Sequence, residues 1–591
     1  MSVKIESNNE LVNPSEYWPL RISNHLFEFT DIVYNIVLFL SNKHAFKFLN
    51  SCKFLLKNKR YIYERQIVKY ENALKINLED HKYILELEME MSNEISNEIS
   101  NLSFNNLQKL IINIGTFNSS LYGLPKHLTE LSITSDLFNQ PLCHLPTNLS
   151  ILRIHCACFN KSLNYLPKML NYLHVKSIMF DKSLKSLPAK LEYLIINCET
   201  YDICCDKLPE TLKILIITCF STINVVKLPE SLDTLMINCY LLLLNENLKF
   251  PSTLKSVSLE YENDINTLNL SPNLAALSLS GLITSKISFR LPLHLISLKI
   301  IDGRFNENLD VLSYLESLNV LIIESTEFDY PLDNLPKNLR FLKVSSIRFN
   351  YALKNLPLSL TILKIDSVSF DRDLCDLPKT LKELNINSQI FNKELKQLPN
   401  LIKLSITSEF FNNPLNNLPE TLEILKIFCE PFNRPLKKLP KSLKELKISS
   451  NVFNNSLIYL PSSLSKLVVE CDMFNRSLNI LPTNLQTLLI SSNVFNKSVS
   501  KLPPLKSLTV SSSKFNCPLI NLPESLKLLD ISCRIFDNIF DSLPLKLEIL
   551  YLDCPKITVT TELDNLSYLE SVTIKDAFYV SFINNDYTVF Q

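Results

Sequence analysis

The dipeptide Leu-Pro occurs 18 times between Leu124-Pro125 and Leu543-Pro544, mostly at intervals of 21 residues. No other feature constrains the fold so tightly. A repeat of this length is a small supersecondary element that cannot bury its own apolar face, so equivalent copies must stack to make a core. Counted from the Leu of each pair as repeat position 1, the consensus reads L-P-x-x-L-x-x-L-x-I-x-[SC]-x-x-F-N-x-x-L. Positions 8, 10 and 12 alternate, which puts Leu, Ile and a small residue on one face of a short strand. The proline at position 2 has no N–H to give to a strand ladder and belongs in the turn that enters the strand. The repeats beginning at Leu398 and Leu502 are one residue shorter, and the loss falls before the strand.

Stacking such strands in parallel gives each one a partner above and below. This is the logic of leucine-rich repeats, whose L-x-x-L-x-L pattern recurs every 20–29 residues. The Asn of that pattern would fall at position 13, which here is variable (Asp136, Ala157, Asn451, Asp472). The constant Asn stands at position 16, after the Phe, and Asp181, Asp329 and Asp371 replace it. Its side chain is expected to hydrogen-bond turn backbone. Position 12 holds eight of the 15 Cys (Cys156, Cys198, Cys219, Cys239, Cys429, Cys471, Cys533, Cys554) and, elsewhere, Ser such as Ser135 and Ser492; Asp302 is the exception among the Leu-Pro repeats. Ser and Cys share size, so this reads as a tight inward slot in which the thiol acts as a small hydrophobe. Disulfides do not suit an intracellular chain. Cys204-Cys205 and Cys156-x-Cys158 lack a second pair at zinc-ligand spacing.

The segments "NLQKLIINIGTFN" (106–118) and "LESVTIKDAF" (569–578) fit the repeat without its Leu-Pro, so the solenoid is expected over 101–580, about 22 to 23 repeats. Between about 200 and 325 the Phe-Asn pair fades while the Leu ladder continues. Residues 1–24 read as a polar tail, 71–100 as a polar connector and 581–591 as a C-terminal tail. Residues 25–70 have helical spacing instead. Thr30 caps a run of Ile32, Ile36, Phe39 and Leu40; Ala45, Phe46, Leu49, Cys52 and Leu56 follow on a second helix; a third is expected over 60–69. The predicted fold class is an α/β repeat: a short N-terminal α-helical segment, then a long leucine-rich-repeat-type parallel β-solenoid.

Composition removes several functions. Lys+Arg and Asp+Glu are both 60, a balance that argues against nucleic acid as partner. With 4 Gly in the chain there is no GxGxxG or GxxxxGK[ST] phosphate loop. The eight His are scattered and no HExxH or GxSxG occurs, so no enzyme, metal or cofactor is expected. The apolar clusters at 36–40 and 241–244 are too short to span a membrane, and the polar N-terminus has no signal-peptide core. A cytoplasmic protein is expected.

The unit FNxPLxxLPxxLxxLxI resembles the FNIP repeat, a short leucine-rich variant typical of social amoebae and giant amoebal viruses. Residues 27–56, "DIVYNIVLFL" followed by "AFKFLNSCKFLL", resemble an F-box, with "FEFTD" standing where that family opens on Leu-Pro. The pairing implies a substrate-recognition subunit of a cullin-type, SCF-like ubiquitin ligase. In that reading Ile32, Ile36, Phe39, Leu40, Phe46 and Leu49 bind the adaptor protein, and the repeats bind an unknown target protein. The alternative is a repeat scaffold that sequesters a partner, with the N-terminal helices as a cap.

A target would be read by the outward strand positions 7, 9 and 11, which vary from repeat to repeat while the inward set stays fixed. Ile214, Ile216 and Met236 form an apolar candidate. Lys343, Lys364, Lys426 and Lys447 at position 9 form a candidate basic stripe, with Asp366, Glu383 and Glu445 beside them as the makings of a charge-balanced face.

Overall fold

The protein is described from a computed structural model. It describes residues 67–69, 86–90, 106–199, 203–245, 248–261, 268–281, 291–537, 543–555, 558–559, 568–569, 571–575 and 579–580. These fall into two compact units, Met1–Lys182 and Ser183–Gln591.

In the first unit six strands run parallel, each paired with the next: Ile67–Lys69, Glu86–Glu90, Lys109–Asn113, Glu130–Ser135, Ile151–Cys156 and Tyr172–Lys176. In the second, the strands from Tyr193–Asn197 to Ser571–Lys575 pair the same way, one per repeat. The register joins like position to like position, for example Leu446 to Leu467 and Ile448 to Val469. Positions 5, 8 and 10 are buried almost without exception. At roughly 1.5–3 kcal/mol per buried aliphatic side chain, these columns are the main source of stability.

A turn and two ladders complete the repeats that carry the full consensus. The Leu-Pro turn is fixed by the Pro carbonyl, which accepts the N–H of the position-5 Leu (Leu128 to Pro125, 3.1 Å; Leu464 to Pro461, 3.1 Å). The position-15 Phe rings form parallel stacks, Phe117 to Phe180 in the first unit and Phe305 to Phe536 in the second. The position-16 side chain does bond backbone, but in the next repeat. Asn118 and Asn139 accept the N–H of Asn139 and Asn160 at 2.9 Å. From Asn350 to Asn516 every such side chain accepts its successor's N–H at 3.0–3.3 Å. Asp371 substitutes because a carboxylate offers the same acceptor.

Position 12 is buried, as its register requires, yet its chemistry is more than size. The Ser hydroxyls donate to the carbonyl of the preceding repeat's Phe: Ser135 to Phe117 at 2.8 Å, Ser450 to Phe432 at 2.9 Å, Ser492 to Phe474 at 2.8 Å. Cys533 does the same to Phe515 at 2.8 Å, whereas Cys156, Cys429 and Cys471 contact the position-10 carbonyl at 3.6–3.9 Å. Burial pushes the thiols of Cys156, Cys429 and Cys471 up to about 12, so they stay protonated. A ladder absent from the consensus runs through position 4, where Ser and Thr donate to the preceding position-5 carbonyl (Ser359 to Leu339, Ser463 to Leu443, both 2.7 Å).

Where the Phe-Asn pair fades, a second sheet replaces it. Ile203–Cys205, Thr222–Val225 and Leu241–Leu244 pair in parallel. Ile203, Ile223 and Leu242 align and are buried in the place of the Phe stack. "ICC", "TINV" and "LLLL" are β-branched or apolar apart from the exposed Asn224, and they extend instead of turning.

The predicted fold class needs one correction. The described residues contain no α-helix; their one helical element is the 3-10 turn Leu309–Leu312. In each unit the described residues form a parallel β-solenoid of leucine-rich-repeat type, and no α-helical segment is found among them. Part of the expected third helix is the strand Ile67–Lys69, and the expected connector contains the strand Glu86–Glu90. "ELEME" alternates apolar with acidic residues: Leu87 and Met89 are buried, and a period of two is a strand signal. Ile32, Ile36, Phe39, Leu40, Phe46 and Leu49 lie outside the described residues.

Candidate functional site

The outward strand positions divide by chemistry along the second unit. Ile214 and Ile216 stand on the strand Ile214–Thr218, and Met236 on Thr234–Asn238. Register sets Ile216 beside Met236 on one side and beside Ile195 on the other, with Tyr193 beside Ile214. Five apolar side chains on three adjacent strands thus share one face. Just past the strands the chain exposes Phe220 (71%), Tyr240 (60%) and Leu243 (44%). The sequence signal for Tyr193 and Ile195 was present, since they occupy positions 7 and 9. The signal for Phe220 and Tyr240 was hidden, because those repeats depart from the consensus after position 12.

The lysines stand where expected but do not make a basic stripe. Lys343 is next to Lys364 and Lys426 next to Lys447. Each meets an acid: Lys343 and Glu324 at 2.7 Å, Lys364 and Glu383 at 4.0 Å, Lys426 and Glu445 at 3.4 Å, Lys447 and Glu470 at 2.7 Å. Lys403 shares Glu383 and Lys466 shares Glu445. Lys364 lies over the Phe341 ring and Lys447 over the Phe428 ring. Asp366 accepts from Ser345 and Asn387. Partly exposed pairs of this kind contribute at most about 1 kcal/mol each to stability. Their effect is to neutralise the face.

In the first unit, His155 and His174 stand on adjacent strands with Nε2 and Nδ1 3.0 Å apart. Burial, then the neighbouring His174, Lys176 and Arg153, lower His155 to about 4. Arg153 in turn is ion-paired with Glu130. In the second unit Cys198, Cys205, Cys219 and Cys239 lie close together. Cys205 and Cys239 are pushed up to about 12 by burial, and Cys198 is raised first by its hydrogen bond with Cys219 and then by burial. None of the described cysteines is in a disulfide. Among the described residues no group of three or more His, Cys, Asp or Glu is arranged to hold a metal ion, and no helix is long and apolar enough to cross a membrane.

No protein-family model matches the sequence, and no curated protein matches it. Solved structures do. The giant-virus protein CroV588, described as a novel circular leucine-rich-repeat protein, aligns over 89% of this chain and 98% of its own, at 21% identity and a TM-score of 0.61. The fold is of the leucine-rich-repeat type. At lower structural similarity, the mouse RP105/MD-1 complex aligns over 83% of this chain and 90% of its own (16% identity, TM-score 0.47). YopM from Yersinia enterocolitica WA-314 aligns over 86% and 100% (21% identity, TM-score 0.37).

Proposed function

We propose that the chain is a protein-binding scaffold that reads its partner through the outward face of its strands. The carrying observation is the apolar group of Ile195, Ile214, Ile216 and Met236 with Tyr193 beside it. Nothing in the stacking of repeats requires apolar residues there, since the buried side alone holds the strands together. Contiguous apolar surface with aromatic members marks interaction sites. The paired charges from Glu324 to Glu470 then serve as a polar margin that orients the partner.

The test uses full-length chains. Wild type, Ile216→Asp and Met236→Asp are incubated with cell lysate, cross-linked and analysed by mass spectrometry. A specific protein should be captured by the wild type and lost from both variants. Retention of every captured protein by both would place the interface elsewhere, and recovery of RNA in place of protein would change the class of partner.

A role as the target-binding subunit of a ubiquitin ligase is the finer form of this reading. Its support is the sequence of residues 27–56 alone, and it requires that a cullin-type adaptor be captured by the full chain and lost in Ile36→Asp. A reducing compartment such as the cytoplasm suits the many buried thiols.

A further inference from the structure

Repeat positions 13 and 14 lie between the strand and the buried Phe, on a surface separate from the strand face. Over six consecutive repeats of the second unit, position 14 holds Ile390, Phe410, Pro431, Val452, Met473 and Val494. Ile390, Phe410, Val452 and Met473 are 41–56% exposed. Before this run position 14 is polar (Glu327, Arg348, Ser369), and after it comes Lys514, so the apolar ridge has two ends.

The ridge is rigidly spaced. Position-13 backbone is bonded from repeat to repeat, Glu409 N–H to the Gln389 carbonyl at 2.9 Å and Asn451 N–H to the Glu430 carbonyl at 3.0 Å. Beneath it the Phe391 to Phe495 rings stack with centroids 6.0–6.2 Å apart. Five such steps make a ridge about 30 Å long, the length of a helix of about 20 residues. One margin is acidic: Glu409, Glu430 and Asp472 are exposed at position 13. The Gln389 amide meets Glu409 and the Asn493 amide meets Asp472, but no ion pair forms to any of the three among the described residues.

We propose that this ridge docks an amphipathic α-helix that carries Lys or Arg along one side of its apolar stripe. Residues three and four apart along one helix face rise about 4.5 to 6 Å, close to the pitch of the ridge. An apolar helix face laid along such anchors is a standard mode of peptide recognition. An extended strand would gain at most an interrupted ladder, because the Glu409 and Asn451 N–H groups are already bonded along the stack. A second copy of this chain would set its own Glu430 and Asp472 against the same acids, and like charges oppose that pairing.

Two labelled peptides of about 20 residues test this, each with Leu at alternating intervals of three and four residues so that they form one stripe, one with Lys and one with Glu along a side of that stripe. They are titrated with full-length protein and followed by fluorescence anisotropy at low salt. The Lys peptide should bind at least roughly tenfold more tightly than the Glu peptide. Met473→Asp and Phe410→Asp should each weaken it by a similar factor while melting with the wild type, since both side chains are exposed. Glu430→Lys, which leaves the apolar ridge intact, should weaken the Lys peptide and strengthen the Glu peptide. Equal binding of the two peptides would overturn the proposal, as would indifference to Met473→Asp and Phe410→Asp. So would wild-type self-association that Met473→Asp disperses, which would make a second copy the occupant.

Discussion

A Cβ on Gly281 would sit 1.8 Å from the carbonyl oxygen of Tyr261. The two residues pair in register at position 12 of neighbouring repeats, the slot that elsewhere takes Ser or Cys. Tyr261 is buried there, the largest side chain to occupy the slot, and Gly281 follows with a φ of +145°. That backbone is open to glycine and strained for any L side chain. Here a bulky residue takes the slot, and the next repeat compensates with glycine.

Gly281→Ala is therefore expected to be strongly destabilising, by roughly 3 kcal/mol from the backbone collision and the disfavoured φ together. Thermal unfolding of the full chain checks this. An unchanged melting temperature would mean that the two strands can separate at this point at no cost.

At position 12 elsewhere, Cys471→Ser should cost within about 1 kcal/mol. Ser450 and Ser492, one repeat either side, donate to Phe432 and Phe474, and a serine at 471 can make the equivalent bond. Leu467→Asp, on the same strand, places a charge in a wholly buried column and should cost about 3–5 kcal/mol. Similar melting temperatures for the two variants would contradict the difference between a hydrogen-bonding slot and an apolar one.

Much of this was legible because stacking turns chemistry into periodicity. A residue such as Leu467 or Phe474 must match its equivalents above and below, so the inward set repeats and can be read from one chain. The Asn ladder was half legible. Asp371 in the place of Asn pointed to a backbone bond, but the period alone does not say whether the bond stays within the repeat or crosses to the next. Position 4 went unread because Ser and Thr, which donate to the position-5 carbonyl, alternate with Asn, which donates to the position-3 carbonyl, and this blurs the consensus. The strand Glu86–Glu90 was hidden by its three glutamates, which make a strand with buried Leu87 and Met89 look like a polar connector in the sequence. The lysines at position 9 were placed correctly, but their neutralisation depends on which acids lie one strand away, and that requires the register.

His155 gives a pH dependence. Its folded pKa of about 4 lies below the ordinary 6.5, chiefly through burial. The unfolded chain therefore binds the extra proton first, and stability from this site is present above pH 6.5 and lost as pH falls towards 4. His155→Gln should flatten the stability curve in that window. An NMR titration should place the His155 midpoint near 4, and a midpoint near 6.5 would show that the packing against His174 does not desolvate it.

The Asn ladder can be cut at one rung. Asn475 donates its N–H to Asn454 at 3.1 Å, and its side-chain oxygen accepts the N–H of Asn496 at 3.0 Å. Asn475→Asp keeps the acceptor, as Asp371 does for Asn392 at 3.0 Å. Asn475→Leu removes it and leaves the Asn496 amide without its partner in the stack. Because this edge of the repeat is partly open to solvent, water replaces some of the loss, and the cost should be about 1 kcal/mol. The local effect is the sharper measurement. Hydrogen exchange at the Asn496 amide should quicken in Asn475→Leu and stay slow in Asn475→Asp, while the Leu488 amide in the strand stays protected in both. Equal protection of Asn496 in the two variants would mean that the turn is held by the Phe474 and Phe495 stack beneath it, and that the Asn side chains merely follow.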